Sequence, residues 1–371
     1  MRRSSVLISG LFLFAACGGG GGGGGGNPPP SEPQTFYVSP SGSDDNDGMA
    51  PDRPFLTLEH AVMGLVAGDV VYVAPGTYPV PPAAPGEPQP TQVAEIQDVV
   101  GTAAQPVLII ADTTGEKTGT DPGDVIIDGK DGAIGLRLSR SRYVVIDGFG
   151  IKRAKGNNGA GIQVRSNSDN ATIRNCVITN GIDGIRVENS NDPLIFNNLI
   201  YRNDNRGIRI SNGSMRARIF NNTIVYNGSR AISIGGANAA NMAPTGATVL
   251  NNVIQNDKDS SNVSIAVEDG PPSSLEGYSG DFNLVYHPEF DDQTKTYRPT
   301  TIVGANDVNL DAQFVNSKNN DFHLLASSPA INAGTPNIGD VLLAALFLRG
   351  TTADGLHDSP QVDIGFHYPA Q

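Results

Sequence analysis

Two short strand patterns alternate through the middle of this chain, and no other feature narrows its fold as much. The first is Gly135-Leu-Arg-Leu138, Gly161-Ile-Gln-Val164, Gly184-Ile-Arg-Val187, Gly207-Ile-Arg-Ile210 and Ala231-Ile-Ser-Ile234, spaced by 26, 23, 23 and 24 residues. The second is Ile173-Arg-Asn-Cys-Val-Ile178, Ile195-Phe-Asn-Asn-Leu-Ile200, Ile219-Phe-Asn-Asn-Thr-Ile224 and Val249-Leu-Asn-Asn-Val-Ile254, with Val145-Ile-Asp-Gly148 as a weaker earlier member. A fixed period of this length is the signature of a stacked repeat. Strands this short cannot bury a face alone. Stacked in register about 4.8 Å apart, they form parallel sheets around a shared interior. Alternation then points the aliphatics of Gly-Ile-Arg-Ile inward and the Arg outward. The Asn pairs fall at a tight bend, where Asn accepts left-handed backbone angles and can hydrogen-bond to the Asn one coil away. Cys176 occupies a position in that stack and reads as a small buried thiol. A reactive cysteine would need exposure and a lowered pKa. The expected fold is all-β, a single parallel β-helix solenoid.

The flanks read differently. Arg2 and Arg3 precede an apolar run, Val6 to Ala16, that is too short to span a membrane, so residues 1–16 read as an export signal. Residues 17–34 are a Gly- and Pro-rich tether with an r.m.s. reach on the order of 25 Å. The folded domain is expected over 35–368, with regular coils over about 125–267 and an irregular cap over 268–368. Phe55 to Val66 has the spacing of one amphipathic helix, with Thr57 as N-cap and Gly68 as stop, placed to cover the open N-terminal end. Asp311 to Asn332 and Val362 to Tyr368 read as a closing cap. Pro79 to Gln97 is a Pro-rich excursion.

The formal charge is −13. Such an acidic chain is not expected to bind nucleic acid. From Arg137 to Arg230, however, fifteen Lys and Arg face six Asp and Glu, a local excess of nine positive charges. Only two cysteines, Cys17 and Cys176, are present. With Cys17 lipidated or removed, no disulfide within the chain remains.

Leu13-Phe14-Ala15-Ala16-Cys17 resembles a bacterial lipobox, with Phe14 where Leu is usual. The resemblance implies lipidation of Cys17, and Gly18 after it implies the outer membrane. The alternative is ordinary secretion with Cys17 in the discarded peptide. Tyr37-Val-Ser-Pro-Ser-Gly-Ser-Asp-Asp-Asn-Asp-Gly48, with Pro54-Phe55 and Gly68-Asp69, resembles the opening of right-handed β-helix proteins of the pectate-lyase-like superfamily. Asp311-Ala-Gln-Phe-Val315, Asp321-Phe-His-Leu324, Ser328-Pro-Ala-Ile-Asn-Ala-Gly334 and Val362-Asp-Ile-Gly365 resemble the C-terminal region of choice-of-anchor Q surface proteins. These resemblances imply a right-handed coil, surface display, and a substrate cleft bordered by the loops at 152–160, 180–183 and 202–206. They do not imply one activity, since the fold hosts lyases, hydrolases, epimerases and non-catalytic proteins.

The outward row Arg137, Gln163, Arg186, Arg209 and Ser233 is the leading candidate site. Arg186 and Arg209 stack as like charges, at a cost of roughly 0.2–1 kcal/mol. Local pairing with Asp183, Glu188 and Asp204 would offset that, and so would an acidic polysaccharide gripped along the axis. For cleavage by β-elimination, Arg186 or Arg209 would neutralise a uronate carboxylate. Lys155 or Lys152, with a lowered pKa, would take the C5 proton. Asp183 and Asp204 would orient substrate or hold Ca²⁺. Asp44, Asp45 and Asp47 have oxygen-rich spacing suited to Ca²⁺, or else form a polar turn. Hydrolysis fits less well, because no pair of carboxylates is singled out and no His falls within the repeat. The expected protein is a monomeric, lipid-anchored binder of a uronate-type polysaccharide, with cleavage by β-elimination as its candidate reaction; the alternatives are a non-catalytic adhesin or envelope protein, a hydrolase and an epimerase.

Overall fold

Each coil of the chain contributes one strand to each of three parallel sheets. The computed structural model describes residues 32–83, 86, 88–157, 159–236, 242–256, 263–268, 273–288, 296–358 and 361–369. The export signal, Cys17 and nearly all of the tether lie outside these residues. Sheet C holds the Gly-Ile-Arg-Ile strands, sheet A the strands before the Asn turn and sheet B those after it. They contain eight, nine and eight strands respectively. One coil runs Asp183–Glu188 in sheet C, Leu194–Phe196 in sheet A and Leu199–Tyr201 in sheet B. The architecture is a right-handed parallel β-helix, the hand that parallel crossover connections adopt.

The interior follows the alternation. Ile162, Val164, Ile185, Val187, Ile208, Ile210, Ile232 and Ile234 are fully buried in one continuous core. The Gly that opens each sheet C strand has a packing cause. A Cβ on Gly184 would lie 2.5 Å from both the Gly207 carbonyl and Ile200 Cγ2, and one on Gly161 would lie 2.4 Å from Ile178 Cγ2. Backbone of the next coil and an aliphatic of the same coil leave no room for a side chain there.

The corners are closed by polar ladders. Asn175, Asn197, Asn221 and Asn251 take φ between 52° and 58°. The residue after each is buried and pairs with the next coil. Cys176 N–H donates to Asn198 Oδ1 at 3.0 Å, and Asn198 Nδ2 to Asn222 Oδ1 at 3.0 Å. Asn222 Nδ2 then donates to Asn252 Oδ1 at 2.9 Å, Asn252 Nδ2 to Asn283 Oδ1 at 2.9 Å, and Asn283 Nδ2 to Asp307 Oδ1 at 3.2 Å. A second ladder at the corner between sheets C and A is made of serines. Ser141 N–H donates to Ser168 Oγ, Ser168 N–H to Ser190 Oγ and Ser190 N–H to Ser214 Oγ, at 3.1 to 3.2 Å. It satisfies backbone donors that the bend would otherwise bury unpaired.

Three expectations change. The N-terminal helix α1 is one turn, Leu58–Ala61, not a helix over 55–66. Thr57 caps it, accepting from His60 N–H at 3.2 Å, but the chain turns at Gly64, where φ is +72°. Leu58, Ala61, Val62 and Leu65 still enter the core. The coils also extend beyond 125–267: sheet A already carries Val70–Val73, and sheet C ends at Tyr297–Arg298. Insertions between strands hide the period there. Finally, residues 311–369 do not close the end of the solenoid. Ile302 and Val303 pack at that end, while 311–369 form a strap along the outer faces of sheets A and B. The strap includes helix α2, Asp340–Leu346. It runs back across coils: Gly365 N–H donates to Asn251 O, Phe366 N–H to Thr223 Oγ1 and His367 N–H to Asn197 Oδ1.

Candidate functional site

The strap packs on sheets A and B, so among the described residues the outer face of sheet C is the one it does not cover. Register places Glu95, Arg137, Gln163, Arg186, Arg209, Ser233, Ala266 and Arg298 in one row across it. The row is less solvated than its outward alternation implies, for Gln163, Arg186 and Ser233 are 4, 9 and 8% exposed.

Charge along the row is unevenly balanced. At the N-terminal end Arg137 is spent on protein partners. Its Nε donates to Gln163 Oε1 at 3.0 Å, and its Nη1 donates to Gln92 Oε1 at 3.1 Å and lies 3.6 Å from Glu95. Arg186 Nη2 lies 3.0 Å from Glu188 Oε1. Arg209, half-buried, makes no ion pair among the described residues. Burial pushes its guanidinium below the ordinary value, and the neighbouring charges of Arg186 and Arg206 push it further.

The structure adds two arginines that sequence reasoning missed. Three residues before the row, Asp183, Arg206 and Arg230 occupy equivalent places on successive coils, shown by Gly184 N–H donating to Arg206 O and Gly207 N–H to Arg230 O. Arg206 Nε is buried without a hydrogen-bond partner, and its Nη1 stands 4.0 Å from Asp183. Arg230 makes no ion pair among the described residues. The signal was available in the sequence, since Arg206 and Arg230 each directly precede the small residue that opens a sheet C strand. Arg186, Arg206, Arg209 and Arg230 thus lie on adjoining coils, with Asp183 and Glu188 beside them.

Other expected site residues are assigned differently. Asp183 is 1% exposed and ties the following loop, accepting from Asn205 Nδ2 at 2.8 Å and Arg206 N–H at 3.1 Å, so it does not present a carboxylate to a ligand. Lys155 Nζ lies 2.8 Å from Asp204 Oδ2. That hydrogen bond raises the Lys155 pKa, the reverse of what a proton-abstracting lysine requires. Lys152 lies 4.0 Å from Asp128. The Ca²⁺ reading of the opening loop also fails. Asp44 accepts from the backbone N–H of Leu56 and Thr57 and from Thr57 Oγ1 at 2.8 to 3.0 Å, which fixes the start of α1. Asp47 holds Met49 N–H and Arg53, while Asp45 is exposed. Among the described residues no three acidic, His or Cys side chains group as metal ligands. Cys176 is inert by the same burial that makes it structural: its thiol is pushed up to about 12.

Comparison with known proteins supports the fold. Residues 124–277 match a family model described as a right handed beta helix region. The structure is similar to pectate lyase Pel9A at 16% identity and a TM-score of 0.50, covering 90% of this chain and 96% of that one. It is also similar to a rhamnogalacturonan lyase at 16% identity and a TM-score of 0.47, covering 76% and 90%. No curated protein matches the sequence. What this chain shares with pectate lyase Pel9A is the fold of a right-handed parallel β-helix.

Proposed function

We propose that the outer face of sheet C binds an acidic, uronate-type polysaccharide laid along the solenoid axis. The observation that carries this reading is Arg209, half-buried, without an ion pair among the described residues, and flanked by Arg186 and Arg206. Desolvating a cation without a counter-charge is costly, and a bound carboxylate removes the cost. Arg186 and Arg209 stand on adjacent coils, with Arg206 and Arg230 beside them. The coil rise of about 4.8 Å suits carboxylates on consecutive sugars. The relevant stretch therefore reads about two adjacent uronates.

Affinity electrophoresis in gels containing polygalacturonate, alginate or a neutral glucan tests this. The protein is retarded by the acidic polymers alone, and added salt weakens the retardation. Arg206→Ala with Arg209→Ala lowers affinity at least tenfold with an unchanged far-ultraviolet spectrum. Unchanged retardation of the double variant overturns the site. The reading rests on binding; the Asp204 hydrogen bond that raises the Lys155 pKa does not favour that lysine as the base for cleavage. Ultraviolet-absorbing unsaturated ends released from polygalacturonate would convert it to a lyase.

The same reading places the protein at the cell surface, as a monomer held by lipid on Cys17. The lipobox-like segment and the glycine tether support it. No helix among the described residues is long and apolar enough to cross a membrane. Cys17→Ser should shift the protein from the membrane fraction to the soluble one.

A further inference from the structure

On another side of the solenoid, the end of the strap meets the Asn corner and borders a second cationic pocket, open to solvent. Asp147, Arg174, Asn175, Phe196, Leu348 and Arg349 are among its lining. Arg174 is fixed there: its Nε and Nη2 both reach Asp147 Oδ2 at 2.8 Å. Asn175 Nδ2 donates to the other oxygen, Asp147 Oδ1, at 2.6 Å. Asp147 thus accepts on both oxygens from its own neighbours.

Arg349 is not matched in this way. It is partly buried, and its guanidinium has no hydrogen bond or ion pair among the described residues. Burial pushes it below its ordinary value, with Asp147 opposing and Arg174 adding to the shift. Among the described residues, two guanidiniums and one carboxylate leave one positive charge over in a lining that also carries Phe196 and the exposed side chain of Leu348. A planar fork with open donors fits a carboxylate bidentately, and the apolar wall fits the body that carries it.

We propose that the pocket between Arg174 and Arg349 is a binding site for a small organic carboxylate with an apolar face. The carboxylate pairs with Arg349, Arg174 flanks it as a pre-set second charge, and the apolar body rests against Leu348 and Phe196. The site is separate from the arginines of sheet C and does not depend on the polysaccharide reading.

Titration calorimetry of the whole protein with benzoate, and with benzamide as its neutral counterpart, tests the proposal. Benzoate binds saturably, and benzamide binds at least tenfold more weakly. Arg349→Gln weakens benzoate at least tenfold, and polygalacturonate does not displace it. In the unaltered protein, benzoate shifts the Arg349 Nε–H resonance, a readout that needs no variant to fold. Equal affinity for benzamide, no saturable benzoate binding, or an unmoved Arg349 resonance overturns the site.

Discussion

Individual side chains in this protein matter most where they close a ladder. Asn222 is the clearest case. Its Nδ2 donates to Ile195 O and Phe220 O at 3.0 Å and to Asn252 Oδ1 at 2.9 Å, while its Oδ1 accepts from Asn198 N–H and Nδ2. Asn222→Ala strands several buried groups at once, each costing about 1–3 kcal/mol. The expected outcome is a loss of at least about 3 kcal/mol in urea unfolding. Cys176→Asn, by contrast, inserts the residue that neighbouring coils already use, and should be tolerated. The thiol of Cys176, 0% exposed and pushed up to about 12, should stay unmodified by a thiol reagent at pH 8 until the protein unfolds. Labelling of the native protein at the rate of a free thiol would contradict its place in the core.

At the scale of elements, adjacent coils are clamped by Asp–Arg pairs at the corners. Asp98 pairs with Arg140, Asp128 with Arg153, Asp147 with Arg174 and Asp192 with Arg216, the Asp always on the earlier coil. Asp98 and Asp128 lie outside the stretch from Arg137 to Arg230, so their clamps with Arg140 and Arg153 lower its excess of nine positive charges by two. Arg140 holds Asp98, and Arg216 holds Asp192, below the usual carboxylate value of 3.8. Burial alone would raise Asp128, but Arg153, the Lys130 N–H and Lys152 together bring it below as well. A carboxyl whose folded value is depressed stabilises the fold above its unfolded value, and that contribution disappears as pH falls through the folded value. The melting temperature is therefore expected to fall progressively from about pH 5 toward pH 2, and Asp192→Asn should make that fall shallower. Asp363 has the opposite sign. Burial raises it despite hydrogen bonds from Thr351 and Asn332, so its contribution is present at low pH and is lost as pH rises through its folded value.

For the whole molecule, the strap decides which faces of the solenoid meet water. Phe196 and Phe220 of sheet A pack with Ile338, Leu346 and Val362 of the strap, and Leu199 and Val225 of sheet B with Phe322 and Phe366. Burying a side chain of this size is worth roughly 1.5–3 kcal/mol. A chain ending at residue 310 should expose these rows, bind a hydrophobic dye and self-associate in light scattering. A monodisperse, dye-negative truncation would show that the strap is dispensable. Phe366→Ala should cost about 3–5 kcal/mol and lower hydrogen-exchange protection in the strap before the coils.

The repeat alone determined the solenoid, because a strand of four to six residues with alternating aliphatics has no stable partner except its own next copy. It also determined the outward Arg row, which follows from a period of two along each strand, and the buried thiol, which follows from the place of Cys176 in the Asn ladder. Charge balance was not readable in the same way. Arg137 and Arg209 hold equivalent places in the pattern, yet one is satisfied by Glu95, Gln92 and Gln163 and the other has no ion pair among the described residues. Asp44, Asp183 and Lys155 looked like ligand or catalytic groups until their partners were visible: Thr57, Asn205 and Asp204. Those partners lie 13 to 49 residues away. Tertiary stacking alone brings them together, and it also lays the strap along sheets A and B rather than sheet C.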